Sequence, residues 1–180
     1  MVNKWFTSDN HFWHKNILKF CRDTRQGEMV EEMNELMVQK WNSQVSPGDH
    51  VYCLGDFSFG KPEATIELLG RLNGDIHLII GNHDGWLNHH DARKAVVTAD
   101  HYKKLRIDGK PVILFHYPIV EFEHMHHGGY HLYGHVHGSY THPGRAMDVG
   151  VDARPQKDMG LWHWDEVEAH LKDRPILKHH

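Results

Sequence analysis

Residues 79–85 read Ile79-Ile80-Gly81-Asn82-His83-Asp84-Gly85, "IIGNHDG". An apolar run stops at a glycine and then presents an amide, an imidazole and a carboxylate in succession. Gly, Asn and Asp are the commonest turn residues, so alone the stretch reads as a turn. Open α/β sheets, though, bind ligands outside the carboxyl ends of their strands. The turn becomes a site if other strand ends do the same.

They do. "VNKWFTSD" near the start, "HVYCLGD" (50–56), "DIHLIIGN" (75–82), "KPVILFH" (110–116) and "YHLYGH" (130–135) are short apolar runs, each ending in Asp, Asn or His. Their continuous apolarity suits strands buried on both faces. Between them, 28–45 sets Met29, Met33, Leu36, Met37 and Trp41 at helical spacing before Pro47-Gly48. A second helix is expected over 61–72, with Pro62 near its start, and a closing one over 164–173. Asp108-Gly109 between strand-like runs predicts a hairpin over 106–112. Alternating helices and strands followed by a hairpin-rich half predict an α/β sandwich with mixed sheets, and with no repeat or linker a single domain, 1–180.

Composition narrows the function. A chain of 180 residues suffices for one domain with a real core. With a formal net charge of -4 there is no global positive field to hold long nucleic acid. Cys21 and Cys53 form no CxxC pair, which argues against a disulfide framework or a zinc knuckle and makes a reducing cytoplasm the simplest compartment. No apolar stretch is long enough to span a membrane, and the first residues lack a signal-peptide core. Histidine is abundant, at 20 residues, and imidazole is the commonest metal ligand. His179 and His180 have the look of a tag remnant.

The polar strand ends supply eight candidate groups: Asp9 and His11, Asp56, Asn82 and His83, His116, His135 and His137. Singly they are weak signals: DxH is frequent, GD is a turn, and a lone His116 reads as a hydrogen-bonded histidine near the core. HxH at 135 and 137 is more specific, because imidazoles two residues apart on an extended chain point the same way and chelate. Together they offer more O and N donors than one ion takes, which predicts two divalent metal ions, manganese first, with iron, zinc, nickel or magnesium as alternatives. Two ions about 3.5–4 Å apart, bridged by a carboxylate, clamp an in-line displacement and lower the pKa of a bridging water, the chemistry of phosphoester hydrolysis.

The ordered set DxH (9–11), GD (55–56), GNHD (81–84), His116 and GHVH (134–137) resembles the calcineurin-like metallophosphoesterase superfamily, in particular its small bacterial and phage-type members. "MDVGVD" (147–152) is similar to the strand that follows the last motif. The resemblance implies a four-layer α/β/β/α sandwich with two mixed sheets. It implies that Asp9, His11, Asp56 and His137 hold one metal and Asp56, Asn82, His116 and His135 the other, with Asp56 as the bridge. It also implies that His83 is catalytic: it donates a proton to the leaving group or stabilises charge there.

The chain departs from the protein phosphatases of that superfamily where GD continues as "GDFSFG", without their phosphate-gripping arginines. Dianionic monoesters benefit most from bidentate arginine, so the expected substrate is a small-molecule or nucleotide phosphodiester attacked by a metal-bridging hydroxide. A phosphomonoesterase, a manganese nuclease and a non-enzymatic scaffold are the alternatives. Arg22 and Arg25 either reach the site or are solvated surface arginines, and His14 and Arg22 are the candidate substrate contacts. His124, His126 and His127 either line the pocket or sit exposed in their loop. Asp84 is expected to fix the backbone, and Trp86 and Leu87 either form an apolar wall or simply pack.

Overall fold

The computed structural model describes residues 2–178, so His179 and His180 lie outside the described residues. The apolar runs form strands: β1 (Lys4–Thr7), β2 (His50–Cys53) and β3 (Asp75–Ile79) lie side by side and parallel. β4 (Thr98–Asp100) extends that sheet at β3, and the late strand β9 (Trp162–His163) pairs antiparallel with β1. The second sheet runs β5 (Tyr102–Ile107), β6 (Lys110–Phe115), β7 (Tyr130–Tyr133), β8 (Ala146–Asp148). β5 and β6 form the expected hairpin about Asp108-Gly109, and β6, β7 and β8 are parallel. Both sheets are therefore mixed.

Alternate residues of each strand serve different cores, which explains the continuous apolarity. From β2 and β3, Val51, Cys53, Ile76 and Leu78 face α2 (Val30–Gln44) and α3 (Pro62–Leu69). Tyr52 and Ile79 face the other way and join Phe6, Val112, Leu114 and Leu132 between the sheets. The closing helix α4 (Trp164–Leu171) adds Trp164, Val167 and Leu171 to that middle layer. On α2 the buried stripe is Val30, Met33, Met37, Val38 and Trp41; Met29, expected in it, is the N-cap and 64% exposed. Outside the second sheet, Phe122, Met125 and the tail residue Leu177 cover Ile113 and Tyr133. Among the described residues no helix is long and apolar enough to cross a membrane.

Three short elements escape a sequence reading: β9 is two residues long, β4 three and α1 (Ile17–Phe20) four, too short for periodicity to declare.

Candidate metal centre

Because β1, β2 and β3 are parallel and in register, the loops leaving them emerge on one edge, and those leaving β6, β7 and β8 emerge beside them. The loops are tied directly: the Asp9 amide donates to the Gly55 carbonyl (2.9 Å), the His11 amide to the Asp56 carbonyl (3.0 Å), and Ser8 bridges to Gly150 across the sheets. The approach is too close for side chains at the motif glycines. A Cβ at Gly81 would collide with the Asp56 carboxylate, and one at Gly134 with Ser8 and Asp9. Gly85 has open space around it and no left-handed backbone, so nothing here demands glycine there.

Two groups of donors result. His11 Nε2 and His137 Nε2 lie 3.8 and 3.9 Å from Asp9 Oδ1. His116 Nε2 lies 3.6 Å from Asp56 Oδ1 and 3.1 Å from Asn82 Oδ1, with His135 close enough to share an ion with Asp56 and His116. Asp56 also reaches toward the first group, its Oδ2 lying 4.0 Å from His11 Nε2. Asp9, His11, Asp56, His135 and His137 all have left-handed backbone, φ 48–69°. Asp and His tolerate that region better than most residues, and such conformations persist only where the surroundings over-determine them. The chain at 135–137 is thus not extended, and the chelate expected of HxH does not form: the two imidazoles go to different groups.

Residues around the donors fix their orientation. His116 Nδ1 donates to the Leu54 carbonyl (2.7 Å), which can only accept, so its Nε2 lone pair faces Asp56. His137 Nδ1 lies 2.7 Å from Asp152 Oδ2, leaving Nε2 toward Asp9. The His135 amide donates to Asp9 Oδ2 (2.9 Å) and the His83 amide to Asp56 Oδ1 (2.8 Å). Tyr117 donates to Asn82 Oδ1 (3.2 Å). Asp84 is buried and accepts four N–H groups, from Gly81, Asp56, Phe57 and the Trp86 indole, locking the turn after β3 onto the turn after β2.

Arg25 is neither a phosphate grip nor a surface arginine. It is buried, forks onto Asp152 (2.9 and 2.7 Å) and donates to the Asp9 and Asn10 carbonyls. With Thr24 also donating to Asp152, it anchors the carboxylate that holds His137. Asp152 and Tyr117 were missed as orienting groups; the only hints are the quoted "MDVGVD" and the tyrosine directly after His116.

Burial pushes the Asp9 carboxyl up to about 6. Burial, with the His137 and Arg25 charges, pushes His11 down to about 2. Asp9 Oδ1 and both His11 nitrogens are buried without a hydrogen-bond partner. Orphaned buried polar atoms of this kind are rare, and a cation between Asp9 Oδ1 and His11 Nε2 would complete those two while favouring ionised Asp9 and neutral His11. The donor set of carboxylate, amide and imidazole without thiolate suits hard or borderline divalent ions.

His83 is exposed, its ring 4.7 Å from Phe59 and 6.2 Å from His11. His14 is half-buried, edge-on to Phe59 (4.2 Å) and 5.4 Å from His11. Arg22 is exposed on the margin of a cleft reaching His137 and Asp152. Trp86 and Leu87 are buried in the core against α3 and form no wall. His124, His126 and His127 are exposed around the turn that seats Met125 on the outer face of the second sheet, and His126 meets the Leu177 carbonyl.

Two groups of candidate metal donors thus share the strand-end edge of paired mixed sheets. The chain matches the calcineurin-like phosphoesterase superfamily domain over residues 6–148, and it belongs to that family. It is 33% identical over 166 residues to protein MJ1445 of Methanocaldococcus jannaschii, covering 87% of this chain and 86% of that one. It is 31% identical over 210 residues to the gene 66 protein of Mycobacterium phage D29, covering 96% and 98%. Among solved structures, the AQ665 protein from Aquifex aeolicus has the same fold, with a TM-score of 0.72 at 21% identity over 95% of this chain and 100% of that one.

Proposed function

We propose that the protein is a two-metal phosphodiesterase, with Asp9, His11, Asp56 and His137 holding one divalent ion and Asp56, Asn82, His116 and His135 the other. The observation that carries this reading is Asp56, which turns Oδ1 to His116 and Oδ2 to His11 while the His83 amide holds it in place. Bound ions of this type polarise phosphoryl oxygens and supply a nucleophile at neutral pH. The residues supply the rest. Leu54 and Asp152 aim His116 and His137 through their Nδ1 atoms, so neither imidazole need reorient on loading. His83 offers its ring to the departing alkoxide as a proton donor.

The preference for diesters rests on arginine. Arg25 is committed to Asp152 and two backbone carbonyls, which leaves no buried fork at the donors to grip a dianionic monoester. Manganese is the proposed ion, and small or nucleotide diesters the proposed substrates.

The test assays bis(4-nitrophenyl) phosphate and 4-nitrophenyl phosphate with manganese, magnesium, nickel, iron and zinc in turn, alongside metal analysis. Two ions per chain and faster diester turnover are expected. His83→Ala should keep its metals and lose roughly 10²- to 10⁴-fold in rate on a diester with a poor alkoxide leaving group. Wild-type rates in that variant would remove His83 from the mechanism. Fewer than two ions with no hydrolysis would make the protein a scaffold.

A further inference from the structure

The segment that replaces the arginine-bearing continuation of GD carries two phenylalanines with opposite fates. Phe57 is fully buried, whereas Phe59 is 39% exposed. Phe59 lies among the site histidines, with its centroid 5.2 Å from His11, 4.2 Å from His14 and 4.7 Å from His83. Phe20, 73% exposed, stands 6.2 Å from His14. Phe20, His14, Phe59 and His83 thus form a continuous strip of rings from solvent to the group proposed to act on the leaving oxygen. Lone exposed apolar residues are ordinary, but a contiguous strip beside a polar centre marks a ligand surface.

The segment around Phe20 carries two cations and one carboxylate, Asp23. Lys19 and Arg22 flank Phe20 along a cleft of about 250 Å³ that ends at His137 and Asp152. Aromatic faces beside cations are how proteins hold a flat base together with its phosphate.

We propose that Phe20 and Phe59, joined by His14, form a stacking subsite for the nucleobase of a nucleotidyl phosphodiester, with Lys19 and Arg22 toward its further phosphate oxygens. This rests on the metal-centre reading above and narrows its substrate class. Stacking tolerates any base, so the subsite selects for a ring and not for a sequence.

The experiment is calorimetric titration of the manganese-loaded protein with adenosine 5′-monophosphate and with ribose 5-phosphate, which carries an anomeric hydroxyl in place of the base. The wild type should bind the nucleotide about tenfold more tightly, the order expected for one stacked base. Phe20→Ala and Phe59→Leu should each bring the two affinities together. Phe20 is so exposed that its removal should not disturb folding, and Phe59→Leu keeps apolar bulk while removing the ring. Equal affinities in the wild type, or a preference that survives both variants, would overturn the subsite. The diester panel fails separately. Diester hydrolysis without a base preference sinks only the subsite, and phosphate release from the nucleotide during the titration counts only against the diester preference.

Discussion

Replacing Asp84 with asparagine tests whether one carboxylate holds the centre's two turns together. Oδ2 accepts the Gly81 and Asp56 amides at 2.8 and 2.9 Å, and Oδ1 accepts the Phe57 amide and the Trp86 indole at 2.9 and 3.0 Å. An asparagine has the same shape but only one acceptor end. Whichever way it turns, two buried donors face an NH₂ group. Each buried donor left without an acceptor costs about 1–3 kcal/mol, so the pair costs roughly 3 kcal/mol once neighbours relax. In a chain of this size 1 kcal/mol corresponds to about 2–4 °C, so the metal-free protein should melt roughly 6–12 °C lower. Burial raises the Asp84 carboxyl above the usual range and the four donors oppose that rise, so the comparison belongs at about pH 8, where the wild-type group is ionised. The assay is circular dichroism melting in excess chelator, followed by manganese titration. Melting within about 2 °C of wild type would refute the reasoning, because it would mean the four bonds contribute no net stability.

Asp152→Asn removes the anion that accepts from His137 and should weaken manganese binding about 10- to 100-fold, measured by competition with a chelating dye. Unchanged affinity would show that His137 needs no carboxylate behind it. Asp49, far from the centre, gives a pH prediction. Burial alone would raise its carboxyl, but donors from Asn3, Ser46 and Trp5 outweigh burial and lower it from 3.8 to about 2. A carboxylate with a depressed folded pKa stabilises fully above its unfolded value and loses that contribution as pH falls through the folded one. The melting difference between wild type and Asp49→Asn should therefore be constant above about pH 5 and shrink between about pH 4 and 2; a difference flat across that range would contradict it.

The strand ends were legible because each donor follows its own apolar run, and parallel register does the rest. Asp84 was legible too, since a residue adjacent to His83 points elsewhere. Arg25 was not. Its buried fork depends on Asp152, 127 residues away, and "FCRDTR" looks as solvated as any surface segment. The left-handed backbone at the donors was equally hidden, because only the neighbouring loops impose it. An extended reading of HxH therefore failed, although the order of the motifs pointed to the right family. Phe57 and Phe59 show the same limit: sequence sets them two apart but does not say which one the core takes.

The ties across the sheets bear on synthesis. Asp9 and Asp56 are made early, yet Asp9 Oδ2 waits for the His135 amide, and His137 waits for Asp152. A chain emerging from the ribosome therefore displays carboxylates and a few imidazoles, but no assembled centre, until residues through about 152 have emerged and β8 has docked. Ions bound by the partial chain would meet only mobile, incomplete donors and exchange freely. Tight metal binding would thus report that both sheets have closed, and its selectivity would be a property of the folded molecule.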